Sequence, residues 1–168
     1  MCAGARWKEE GARLLGRDGM RYKYFWKGSE RGLGGVGIFV ANQYIDEVVE
    51  VKRVSDRVIV LKVMIGKTVL NVISAYAPQS GRSNEEKEEF WFLLVKTVSE
   101  ISDSKKLVVC GDLNAHVGVN ADGFGMVHGG NGFGERNLEG EMMLEFAEAM
   151  ELAILNTWFK KDLDKRVT

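Results

Sequence analysis

Residues 108–118 read VVCGDLNAHVG, and the fold turns on how that stretch is read. Leu107, Val108, Val109 and Cys110 form a short apolar run of the kind expected of a strand buried on both faces. The run stops at Gly111, and Asp112 and Asn114 follow at once. A strand that ends in such polar groups delivers side chains to a site, or closes in an Asx-type turn. Just upstream the period changes. Trp91, Leu94, Val95, Val98 and Ile101 recur at helical spacing. Ser83 with Glu86 three residues on has the form of a capping box. The acidic NEEKEE (84–89) suits a solvated helix N-terminus. A helix of about four to five turns is therefore expected to lead into the 105–114 strand.

Further upstream the chain reads as strand after strand. RYKYFW (21–26) is rich in aromatics, and VGIFVA (36–41) follows a glycine-rich turn, KGSERGLGG (27–35). EVVEVKRV (47–54) and RVIVLKVMI (57–65) are β-branched runs that predict a hairpin. Gly66 and Lys67 turn the chain into TVLNVISAY (68–76). EEGARLLGR (9–17) is expected as a short helix. Downstream, a glycine-rich loop runs from Ala115 to about Asn137, longer than a mere connector. Met143, Phe146, Ala147 and Met150 mark a second helix, and LAILNTWF (152–159) is expected as a closing strand. Strands without intervening helices argue for antiparallel or mixed sheet, and the simplest assembly is sheet on sheet with helices outside.

The totals set bounds. The 168 residues are about one domain's worth; hydrophobic residues are 45% and charged residues 28%, a globular composition. A formal net charge of -1 gives no bulk electrostatic drive toward nucleic acid, and leaves a local basic patch open. Cys2 and Cys110 read as free thiols of a reducing, intracellular setting. No apolar run nears the ~18 residues of a membrane span, and MCAGARWKEE lacks the hydrophobic core of a signal peptide. No motif calls for an organic cofactor: RGLGGVG (31–37) lies between strands and opens no helix, so it lacks the setting of a dinucleotide site.

Three segments hold the candidate chemistry: SAYAPQ (74–79), GDLNAHVG (111–118) and GERNLEG (134–140). Tyr76 stands where the single proline, Pro78, ends a strand; the other reading is a core or turn tyrosine. Asp112, Asn114 and His116 are spaced by two and share a face if the strand persists. A carboxylate accepts a proton or holds a hard cation, and an amide bonds a phosphate oxygen or orients the carboxylate. His116 is more simply a solvated loop residue, and Asn137 most simply caps the second helix. Lys160, Lys161, Lys165 and Arg166 could touch phosphate, or form a solvated end.

In order and spacing, GGVGIFV, VVEVKRVSDRVIVLKV, NVISAYAPQSG, GDLNAHVG, RNLEGEMMLEFA and LAILNTWF together resemble the endonuclease/exonuclease/phosphatase superfamily. The likeness is nearest to the apurinic-type endonuclease domain of non-LTR (LINE, RTE-like) retrotransposons and to the craniofacial development protein 2 group. The resemblance implies an α/β fold, an incomplete four-layer α/β/β/α sandwich (DNase I-like), as one truncated domain over 1–168. It implies a Mg²⁺-dependent DNA endonuclease in which Asp112 orients or deprotonates the attacking water, Asn114 supports it and the phosphate, and Tyr76 contacts the phosphate. The chain also departs from the family. A metal-binding glutamate is expected just before RWK, where the sequence reads CAGA and Gly4 or a neighbour replaces it. The family's downstream IDY and SDH motifs have no counterpart before Thr168. The resemblance therefore implies a weakly active or inactive hydrolase with no protein-built metal site, or a binding remnant of nucleic acid or protein. Another phosphodiesterase or phosphatase of the same superfamily is a further alternative, and oligomeric state is left open.

Overall fold

The computed structural model describes residues 2–3, 8–17, 20–30, 34–101 and 106–160. Gly4, Arg6, Trp7, Lys161, Lys165, Arg166 and Thr168, and the thiol of Cys2, lie outside the described residues. Contacts gather the chain into two units, one of 1–78 with 85–113 and one of 79–84 with 114–168.

The first unit holds two four-stranded sheets. One contains β1 (Cys2–Ala3), β2 (Glu10–Arg17), β3 (Met20–Gly28) and β4 (Gly35–Ala41) in the order β1-β4-β3-β2, all antiparallel. The other runs in chain order from β5 (Val48–Ser55) through β6 (Val58–Ile65) and β7 (Thr68–Tyr76) to β8 (Lys106–Asp112). Its first three strands are antiparallel, and β8 lies parallel to β7 after the crossover helix α1 (Asn84–Ser99). A parallel neighbour requires a long return path, and a helix of this length supplies it.

Period-two alternation decides which side chains meet. Phe25, Val36, Ile38 and Val40 of the first sheet pack with Ile59, Leu61 and Val63 of the second in one buried cluster. Tyr76, Val72 and Leu70 extend it along β7. Burying each such aliphatic or aromatic side chain contributes about 1.5–3 kcal/mol, so this face-to-face contact is the main stabilising feature of the unit. The opposite face of β5–β7 meets the C-terminal end of α1. Glu50, Lys52, Val60, Lys62 and Asn71 line a small cavity there with Thr97, Glu100 and Ile101. Phe90, Trp91, Leu94 and Val98 are the buried stripe of α1, at the spacing read from the sequence.

The four-layer α/β/β/α, DNase I-like expectation is overturned. The protein is mostly β, with two α-helices among the described residues, and only one of them lies in the unit that contains both sheets. Two local misreadings contributed. Residues 9–17 lack a helix because β3 pairs with β2 along its whole length. Gly11 and Gly16 each disfavour a helix there by about 1 kcal/mol. Residues 152–159 form no strand: Leu155–Thr157 is a turn of 3₁₀ helix, with Thr157 Oγ1 donating to Ile154 O at 2.7 Å. β8 also differs from its reading as a doubly buried strand. It lies at the sheet edge, and Val108 is 41% exposed. β6 is buried on both faces, with Val58, Ile59, Val60 and Leu61 all buried.

In the second unit the long loop and helix α2 (Leu138–Ala149) fold on a smaller core of Val127, Leu144, Ala147 and Ile154. The loop is ordered by polar contacts. His128 is buried, its Nδ1 accepting from Gly130 N at 3.1 Å and its Nε2 lying 3.1 Å from Gly118 O. With Nδ1 as acceptor, the neutral ring carries its proton on Nε2 and donates it to Gly118. Thr157 Oγ1 accepts from Gly129 N at 2.8 Å.

Candidate functional site

β7 and β8 are the one parallel pair in the second sheet, and they end together. Tyr76 and Asp112 are register partners at their carboxyl ends. Loops and side chains at the carboxyl ends of parallel strands are where open sheets place their sites. Ala77 N donates to Asp112 O at 2.9 Å and carries the ladder one step past both strands.

Gly111 makes this pairing possible. Its φ is 137°, outside the range an L side chain adopts readily, and a Cβ there would stand 1.9 Å from Ala75 O. A residue with a side chain would push β8 away from β7, and Asp112 with it. The glycine before the aspartate in GDLN is thus a positioning residue for the carboxylate.

Arg57 is the member of the group that sequence reasoning missed. It lies in the tight turn between β5 and β6, its guanidinium 5.8 Å from the Tyr76 ring centroid and its Nη1 donating to Tyr76 O at 3.2 Å. Tyr76 N in turn donates to Arg57 O at 2.9 Å. Nothing in the sequence separates this arginine from a solvated turn residue; only the end of β7 beside it gives it a role. Tyr76 is half-buried against the sandwich core, whereas Asp112 is exposed. The three supply a phenol, a guanidinium and a carboxylate: two donors for a phosphate oxygen and one acceptor for a water proton or a hard cation.

Asn114 is placed otherwise. The strand stops at Asp112, so Asp112, Asn114 and His116 do not share a strand face. Asn114 belongs to the second unit and takes φ 48°, a left-handed conformation that asparagine tolerates better than most residues. This backbone conformation favours an asparagine at 114.

The GERNLEG segment is structural. Asn137 Oδ1 accepts from Gly140 N at 2.8 Å and caps α2, and it also accepts from His116 N at 3.0 Å. Arg136 donates to Val117 O, Asn120 O and Ala121 O, pairs with Glu141 at 3.0 Å and lies over the Phe124 ring. Its donors are spent on the loop. The His116 side chain is exposed. The Cys110 thiol is free and donates to Ile73 O at 3.1 Å.

Among the described residues no group of three His, Cys, Asp or Glu is placed to hold a metal ion, and no helix is long and apolar enough to cross a membrane. No family model and no curated protein matches the chain.

Proposed function

We propose that this chain is a retrotransposon-type endonuclease domain that engages the DNA backbone at the Arg57–Tyr76–Asp112 end of its second sheet, and that it hydrolyses phosphodiesters weakly or not at all. The observation that carries this reading is the register of Tyr76 with Asp112 at the ends of two parallel strands, with Arg57 against the tyrosine. Arg57 and Tyr76 bind and orient a phosphate, and Asp112 holds a water by accepting its proton. The reading keeps the sequence resemblance without its four-layer architecture. It also carries residence in the nucleus, where such a protein meets DNA.

Mg²⁺ is the ion the resemblance implies, and no group of three His, Cys, Asp or Glu among the described residues is placed to hold it. Asp112 is the single carboxylate in the group, and a Mg²⁺ held there would draw its remaining ligands from waters and substrate phosphates. Slow or absent hydrolysis follows, because one carboxylate, one phenol and one guanidinium make up only part of a catalytic unit whose parts act together.

The test uses the full chain, supercoiled plasmid and Mg²⁺ at increasing concentration. Slow nicking that Asp112→Ala abolishes, with salt-dependent plasmid binding that Arg57→Gln weakens, is the expected result. Nicking unaffected by Asp112→Ala, or no DNA binding at low salt, overturns the proposal.

A further inference from the structure

The outer face of the first sheet carries a feature that the β7–β8 site does not use. Tyr22, Tyr24 and Trp26 alternate along β3 on the side away from Phe25 and the sandwich core, and Phe39 is the register partner of Tyr24. Tyr24 stacks on Phe39 with centroids 4.3 Å apart and on Trp26 at 5.5 Å, the planes within 22° and 16°. Gly37 lies beneath: a Cβ there would fall 2.4 Å from the Tyr24 ring, so the glycine lets the ring lie down on the sheet. Tyr24 is thereby 2% exposed, although its face of the sheet is the outer one. The rings at the margin differ. Phe39 is 38% exposed and Tyr22 40%.

The charge around these rings has one sign. β2 places Arg13 and Arg17 on this face, as register partners of Tyr24 and Met20, and no carboxylate of β2, β3 or β4 shares it; Arg21, Lys23 and Lys27 alternate onto the face of Phe25, where Lys27 pairs with Glu10 at 2.9 Å. Arg13 is the register partner of Tyr24 and so lies on the aromatic face. Arg13 and Arg17 are both exposed. This excess sits in a chain whose formal net charge is -1, so it is a local patch and not a bulk property.

Exposed rings interleaved with cations fit a ligand with flat apolar faces and a regular anionic backbone. We infer that the outer face of the β1-β4-β3-β2 sheet binds single-stranded nucleic acid. Unpaired bases stack on the exposed rings of Phe39 and Tyr22, and Arg13 and Arg17 neutralise the phosphates beside them. Every base has a π face, so such a surface is tolerant of sequence and selective for strands whose bases are unpaired. A duplex hides those faces and meets only the arginines. The inference does not need hydrolysis at Asp112 and stands apart from the proposed function.

The experiment is fluorescence anisotropy of the full chain with a labelled oligothymidylate and with a duplex of the same length. Single-strand affinity is expected to exceed duplex affinity. Phe39→Ala and Tyr22→Ala together should weaken it at least tenfold, since each stacked base contributes roughly 5- to 150-fold. Phe39→Tyr, which keeps a ring, should retain it. Arg13→Gln with Arg17→Gln should lower the slope of log affinity against log salt by about 1.4. Phe39→Leu preserves apolar cover, so its loss of binding with an unchanged melting curve marks stacking as the cause. Equal single-strand and duplex binding overturns the inference, as does binding unchanged in Phe39→Leu and Phe39→Ala. So does self-association lost in those variants, which would assign the face to a second copy of the chain. Asp112→Ala separates the two readings: it abolishes nicking and leaves oligothymidylate binding intact.

Discussion

Replacing Gly111 with alanine tests the reasoning about the candidate site most directly. Two costs combine. The backbone sits at φ 137°, where a residue with a Cβ stores about 1–3 kcal/mol of strain. The new methyl also falls 1.9 Å from Ala75 O, and that atom is backbone in a central strand, which has no rotamer to yield. β8 must retreat by more than about 1 Å to reach ordinary van der Waals contact. That movement loosens the bond from Ala77 N to Asp112 O and its neighbours, each worth about 1 kcal/mol net. The expected destabilisation is about 3–5 kcal/mol, at the upper end for a single substitution. With a urea m-value of about 2 kcal/mol/M, the midpoint should fall by roughly 1.5–2.5 M. Gly66→Ala is the internal control. Gly66 also has positive φ, 62°, but a Cβ there meets nothing within 4 Å. It should cost about 1 kcal/mol, the conformational part alone. If Gly111→Ala costs no more than Gly66→Ala in parallel urea melts, the close approach of β8 to β7 is wrong, and the placement of Asp112 beside Tyr76 falls with it.

Further outcomes follow from the same contacts. Asn137→Ala removes the cap of α2 and the acceptor for His116 N; it should cost about 1–2 kcal/mol by urea melting, and Asn137→Asp should recover most of that. Ser74 Oγ is buried and has no hydrogen-bond partner among the described residues, so Ser74→Ala should be neutral or stabilising by up to about 1 kcal/mol, and a clear loss would reveal a partner for the hydroxyl. The hydrogen bond from Lys52, reinforced by its charge, holds the Glu100 carboxyl below its ordinary value of 4.5. A depressed carboxyl contributes stability that is fully present above the unfolded value and fades as pH falls through the folded one. Side-chain NMR should therefore find Glu100 titrating below 4.5 and returning toward it in Lys52→Ala; an unmoved midpoint would count against the pairing.

Much of this protein is written locally. The alternation in 21–26, 36–41, 47–54 and 57–65 specifies β3 to β6, because side chains on successive strand residues point to opposite faces and the pattern needs no partner to be read. The 3.6-residue spacing of Trp91, Leu94 and Val98 specifies α1 in the same way, and Asn137 signals the start of α2 through its own side chain. What depends on distant partners was not legible. Residues 9–17 became a strand because β3 offered them a complete ladder, which outweighs a weak local preference. The apolar run of β8 looked doubly buried, but burial depends on strand order, and β8 lies at an edge. LAILNTWF had the composition of a strand, but its own unit holds no strand among the described residues, and its polar groups are satisfied in a 3₁₀ turn. The candidate site divides along the same line. The sequence determined that Tyr76 and Asp112 end their strands. Only the tertiary structure made them neighbours, through the parallel register of β7 and β8 and the space left by Gly111, and only it brought Arg57 from another turn against the tyrosine. Periodicity along a chain records which face a residue takes; it carries no record of what that face will meet.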